Sequence, residues 1–203
     1  MRILSIFLSL ISYGLLAQHT ISLVPNNIER GTIYLSNKKT VEGKIIVPLL
    51  ANQKRINYRY DGKKHRVQST NIDSIVFDSK ATLLFTSTEF YNKRKQDSKK
   101  VKRAEWLRKI VSGDLSIYET TYIEHRREYT NSVTHYFFKR KNETLPTLIA
   151  IKTNEPFPTA DHRLFRINLE KYFSNEEDFL ALIKRKEFGL NELHLIAKEY
   201  NGM

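Results

Sequence analysis

Lys93–Glu119 reads KRKQDSKKVKRAEWLRKIVSGDLSIYE, and how the chain divides turns on this stretch. Nine of the eleven residues from Asn92 to Lys102 are charged or amide, which reads as a loop or as the exposed start of a helix. From Val101 to Val111 the apolar spacing is helical. Trp106 and Ile110 stand four apart, as do Leu107 and Val111. Gly113 suits a helix C-terminal cap, with Asp114 starting the exit. Leu115–Ile123 (LSIYETTYI) then alternates as a strand. The stretch is read as the seam between an upstream β region and a downstream mixed region.

Upstream, short strands follow one another. GTIYLS at 31–36 alternates and TVEGKIIV at 40–47 resumes after the polar turn Asn37–Lys39. Gly43 inside the second run marks a bulge or bend. RINYRY at 55–60 alternates up to Asp61-Gly62, a two-residue hairpin turn, and Lys63–Gln68 returns. Ile72–Phe77 closes the set and Thr82–Thr86 adds a further short strand. Turns at this spacing predict a small antiparallel barrel or sandwich, SH3-like in kind.

Downstream, Val133–Lys139 and Leu145–Ile151 continue as strands, with Pro146 at a strand start or on an edge. Three short helices follow. Asp161 is positioned to cap the first, which carries Phe165, Leu169, Tyr172 and Phe173. Ser174–Glu177 has the form of a capping box for the second. Gly189 and Asn191 open the third, with Leu193, Ile196, Ala197 and Tyr200 on its face. The fold class expected is α+β: a small N-terminal antiparallel β module, then an α+β module ending in about three short helices. Residues 1–17 read as a signal peptide, 18–90 as the β module, 91–104 as a basic connector and 105–203 as the α+β module.

The signal peptide rests on order and length. Met1-Arg2 supplies a positive start, Ile3–Leu16 an apolar run, and Ala17 a small residue before Gln18. The run is shorter than the ~20 apolar residues a spanning helix needs. The chain has no cysteine, so disulfides, thiolate metal sites and a lipid-modified cysteine are excluded.

The formal net charge is +12, and Lys38–Lys109 holds 19 basic against 7 acidic residues, while Glu170–Met203 holds 5 against 7. The basic field therefore belongs to the first half and calls for an anionic partner. Nucleic acid is the usual inference, but an exported chain meets anionic polysaccharide, lipopolysaccharide or phospholipid surfaces instead. The anion-binding candidates are Arg55, Arg59, Lys63, Lys64 and Arg66 on the hairpin, with Lys99, Lys100, Lys102 and Arg103 from the connector. For the hairpin residues alone, a solvated edge strand protected by charge is the commoner explanation, since charge runs are usually surface.

Catalytic chemistry finds no motif. None of the six histidines has a tight metal-ligand spacing, and the best constellation is Glu124, His125 and His135 across one hairpin. There is no nucleophile elbow, no S-x-x-K and no glycine-rich phosphate loop. Trp106, the single tryptophan, is expected to pack a helix onto a sheet.

Four segments resemble a group of uncharacterised exported proteins of Bacteroidetes: GDLSIYE at 113–119, HYFFK at 135–139, RLFRINLEKYF at 163–173 and AKEYN at 197–201. The early pair G-x-I-x-L and x-E-G-K-I within Gly31–Ile45 is similar as well. The resemblance implies export and the two-part layout, and assigns no activity or catalytic residue. The chain ends in helices without a sorting domain, so periplasm or envelope is expected over full release. The expected function is a non-enzymatic envelope or periplasmic protein, binding or structural, with a basic face and no cofactor. The alternative is a periplasmic hydrolase with a site between the two modules.

Overall fold

Trp106 sits in the middle of a long strand, not a helix. The structure, a computed structural model, describes residues 19–24, 26–92, 98–125, 130–154 and 159–202. The expected signal peptide at 1–17 and the connector residues 93–97 lie outside the described residues. The elements are β1 (His19–Ser22), β2 (Ile28–Leu35), β3 (Thr40–Ile46), β4 (Arg55–Tyr60), β5 (Lys63–Gln68), β6 (Ile72–Phe77), β7 (Thr82–Tyr91), β8 (Lys99–Val111), β9 (Leu115–His125), β10 (Thr130–Arg140) and β11 (Thr147–Thr153), then α1 (Thr159–Tyr172), α2 (Glu177–Lys186) and α3 (Leu193–Asn201).

All eleven strands belong to one hydrogen-bonded sheet. This overturns the expected α+β class with a separate small N-terminal module. The chain is predominantly β, and β7 pairs with β8 from Thr82↔Lys109 to Tyr91↔Lys99, across the expected boundary. The helical reading of Val101–Val111 fails for a physical reason. Glu105, Trp106 and Leu107 are all buried, because β8 is covered on both faces. A strand buried on two sides does not alternate, and its apolar spacing here imitates a helix. Trp106 joins the core of β2–β7, whereas Leu107 joins a second one with Tyr118 and Phe137. Gly113 turns the β8–β9 connection with φ +156. It is no helix cap, and a Cβ there would overlap the Asn201 side chain.

The pairings close a ring. β7 pairs β8, β8 pairs β9, β9 pairs β10, β10 pairs β11, and β11 returns to β7 in parallel at Thr147↔Glu89. Closure removes sheet edges. Cross-strand partners share a face, and Leu84↔Leu107 and Tyr118↔Phe137↔Leu148 set the inner one. β1 takes up β9 from Thr121 to Glu124, beyond its last pairing with β8 at Glu119.

The helices cover the outside of this ring. Phe165, Leu169, Phe173, Phe179, Ile183, Leu193 and Ile196 pack on Leu115, Ile117, Phe138 and Ile149. Burial of such side chains stabilises by about 1.5–3 kcal/mol each. A register shift between Tyr136 and Phe137 disturbs the β10–β11 ladder, and the buried Asn168 of α1 donates to the carbonyls of Leu148 and Ile149 there. Three cap readings move. α1 starts at Thr159, so Asp161 lies inside it, and α2 starts at Glu177 with Glu176 as N-cap and no side-chain capping bond. Arg140 holds the Glu176 carboxylate at 2.5 Å instead. Asn191 falls within a 3-10 turn, where it accepts from Lys152.

Candidate functional site

The outer face of β2–β5 is built by strand register. Arg30↔Lys44, Lys44↔Arg59 and Arg59↔Lys64 are directly opposed pairs. Four cations therefore form one row across four strands, spaced by the ~4.8 Å between neighbouring strands. Arg55 and Arg66 occupy the same face, since side chains two apart share it. The face thus carries six cations against one carboxylate, Glu42. All six are exposed, and among the described residues none makes an ion pair. A groove of about 480 Å³ lies along the row, lined by Arg30, Lys44, Arg59 and Tyr60 with Glu42 and Asp61.

Local sequence explains how the row is held. Asp61 (φ 49) and Gly62 (φ 69) make the turn that fixes the β4–β5 register. Gly43 lets β4 approach β3, because a Cβ there would overlap the Arg59 carbonyl oxygen. Gly31 stands directly opposite Gly43. Nε of Arg66 donates to Asn57 Oδ1 at 3.0 Å.

The predicted site residues separate. Arg55, Arg59, Lys64 and Arg66 stay together. Lys63 opposes Tyr60 and so points to the other face, that of Tyr58 and His65. Arg30 and Lys44, which complete the row, were missed in the sequence. The available signal was the alternation of IERGTIYL and TVEGKIIV, which places both with Arg59 only once the register is known. The connector lysines lie elsewhere along the sheet, on β8. Lys99 pairs with Glu89 at 3.2 Å, donates to Thr147 at 2.9 Å, and lies over the Tyr91 and Tyr172 rings. Lys100 and Arg103 are exposed on β8. Lys102 instead bonds Glu105.

That carboxylate centres a second cluster, inside the ring. Glu105 is 2% exposed. It accepts from Lys102 Nζ at 2.9 and 3.2 Å, from the Tyr122 hydroxyl, and from Thr88 Oγ1 at 3.2 Å. Burial, then the charge and hydrogen bond of Glu105, raises the Tyr122 phenol above its ordinary value. His135 stands edge-on to Tyr122, ring centroids 4.8 Å apart. Burial and then Lys102, opposed by Glu105, lower its pKa to about 4. Thr120, opposite His135 in register, is fully buried with its hydroxyl unpaired. The ladder separates His125 from His135 in the Glu124–His125–His135 constellation. His125 opposes Thr130 and His135 opposes Thr120, five positions apart on the ladder, or roughly 16 Å. Among the described residues no group of acids and histidines is arranged to hold a metal ion.

A third cluster fastens the helices. Arg140 pairs with Glu143 at 2.9 Å and with Glu176, donates to the Tyr172 carbonyl at 2.8 Å, and stacks 4.1 Å from the Tyr172 ring centroid. Tyr172 donates to Glu143 at 2.5 Å. Among the described residues no helix is long and apolar enough to cross a membrane. Comparison with family models, curated proteins and solved structures finds none that matches the chain.

Proposed function

We propose that this chain is a non-enzymatic binding or structural protein of the cell envelope that holds an anionic ligand on the outer face of β2–β5. The observation that carries the reading is the row Arg30–Lys44–Arg59–Lys64. Charge on an edge strand protects it from aggregation, and β5 is such an edge. That explanation reaches Lys64 but not Arg30 or Lys44, which sit on interior strands. Like charges directly opposed across a sheet destabilise it, by roughly 0.2–1 kcal/mol a pair. Three such pairs with no acid in register are explained by an anion that arrives from outside. The export expected from residues 1–17 gives the setting: an envelope rich in phosphorylated and acidic glycans and lipids.

Retention on a heparin column tests the reading. The wild-type chain is expected to elute late and to shift earlier as salt rises. The charge reversals Lys44→Glu and Arg59→Glu together are expected to abolish retention, while Lys100→Glu and Arg103→Glu together, the same change in net charge on the exposed part of β8, leave most of it. Equal loss from both sets would reduce the effect to net charge and refute the row.

A further inference from the structure

The same face carries an apolar margin that a soluble polyanion does not require. Ile28 and Ile46 oppose each other on β2 and β3, one side-chain step from Arg30 and Lys44 on the same face. Ile28 is 59% exposed. β3 runs on into the loop 47–54, where Leu49 and Leu50 are each 45% exposed. The chain length from Ile46 keeps the Leu49 Cα within about 11 Å of it. The loop is ordered by its own bonds. Leu49 N–H donates to Gln53 Oε1 at 3.1 Å and Gln53 N–H to the Leu50 carbonyl at 3.0 Å. Ala51 accepts from the Trp106 backbone at 2.8 Å. Val47 and Ala51 pack into the core of β2–β7, so the loop buries residues on both sides of the leucine pair and displays the pair itself.

We infer that the outer face of β2–β5 docks on an anionic lipid surface, the cation row on the headgroups and Ile28, Leu49 and Leu50 in the acyl boundary. This rests on the anion-binding reading above and names its ligand. Exposed Ile28 on the face of the unpaired cations, with two exposed leucines on the loop that continues β3, matches both halves of an anionic amphiphile. A sugar polyanion would use the cations alone.

The test uses the full chain and sedimentation with lipid vesicles, either neutral phosphatidylcholine or the same with about a third anionic phosphatidylglycerol. Neutral vesicles measure the charge-independent part of the binding, that of the apolar run at Ile3–Leu16 together with the exposed aliphatics. Binding to anionic vesicles is expected to exceed neutral binding and to fall about fivefold per neutralised cation, hence about a hundredfold in Arg30→Gln/Lys44→Gln/Arg59→Gln. The variant Ile28→Ser/Leu49→Ser/Leu50→Ser is expected to lose about tenfold on anionic vesicles while keeping its heparin retention. If that variant binds vesicles like the wild type, the lipid assignment fails, and heparin retention then preserves the anion reading with a soluble polyanion as ligand. If neither vesicles nor heparin bind, both readings fail. All substituted positions are surface residues, and an unchanged thermal melt confirms that each variant is folded.

Discussion

Removing the buried charge of Glu105 should reveal how much of the ring's stability its polar interior supplies. The carboxylate is 2% exposed and takes bonds from Tyr122, Thr88 and Lys102. The Lys102 side chain is 46% exposed, so its contribution is small, about 0–1 kcal/mol. The two hydroxyls count for more, because hydrogen bonds to a charged group contribute about 1.5–3 kcal/mol against about 0.5–1.5 for neutral ones. Glu105→Gln keeps the shape and loses roughly 1 kcal/mol at each hydroxyl, so about 2 kcal/mol in all. Glu105→Leu strands both hydroxyls and should cost about 3–5 kcal/mol. Tyr122→Phe alone should cost about 1–3 kcal/mol. Equilibrium urea unfolding of the two singles and Glu105→Gln/Tyr122→Phe measures the coupling, expected at about 1–2 kcal/mol with unchanged slope. In Glu105→Gln the Tyr122 phenol, followed by ultraviolet titration, should move down toward its ordinary range and stop short of it, because burial persists. Coupling below about 0.5 kcal/mol is ordinary additivity and would refute the network, as would a stabilising Glu105→Leu.

Other consequences follow from the same geometry. His135 has a folded pKa of about 4 against an ordinary 6.5, so the unfolded chain binds the extra proton first. Its stabilising effect is present above pH 6.5 and is lost as pH falls toward and below 4, by about 3 kcal/mol in all; chemical denaturation of His135→Gln across that window should show the slope gone. Arg140→Met leaves Glu143 and Glu176 without their cation and should cost about 3–5 kcal/mol, with no rescue by Arg140→Lys, since lysine cannot make the forked bonds or the ring stack; thermal melts compare the three. Gly43→Ala forces β4 away from β3 and should lower both stability, by about 1–3 kcal/mol, and heparin retention, whereas Gly62→Ala at the open hairpin tip should disturb stability alone.

Sequence patterns located most strands and lost the architecture. RINYRY-Asp61-Gly62 was legible as a hairpin because turn chemistry and alternation agree locally. LSIYETTYI and VTHYFFK were legible for the same reason, each having a core face toward the helices or the ring interior. Val101–Val111 was not, since Trp106 and Leu107 serve cores on opposite sides of one strand. Ring closure rests on a single parallel bridge between residues 58 apart, Thr147 and Glu89, and no local pattern announces such a contact. The capping box at Ser174 was a sound local reading. A distant arginine overrode it by drawing Glu176 to the end of β10.

The same distinction decides where the basic charge acts. The connector run Lys99–Arg103 is dense in charge, yet Lys99 and Lys102 are held by Glu89 and Glu105. Arg108 is likewise held by Glu119, and Arg140 by two carboxylates. These cations are already answered within the fold, and removing an acid would unsettle the ring before it opened a site. Cations able to answer an outside ligand are those whose register places another cation opposite and no acid. That condition selects Arg30, Lys44, Arg59 and Lys64, a set contributed by four strands and invisible as a run. Charge density along the sequence measures supply, whereas strand register determines which of that charge is left for a partner.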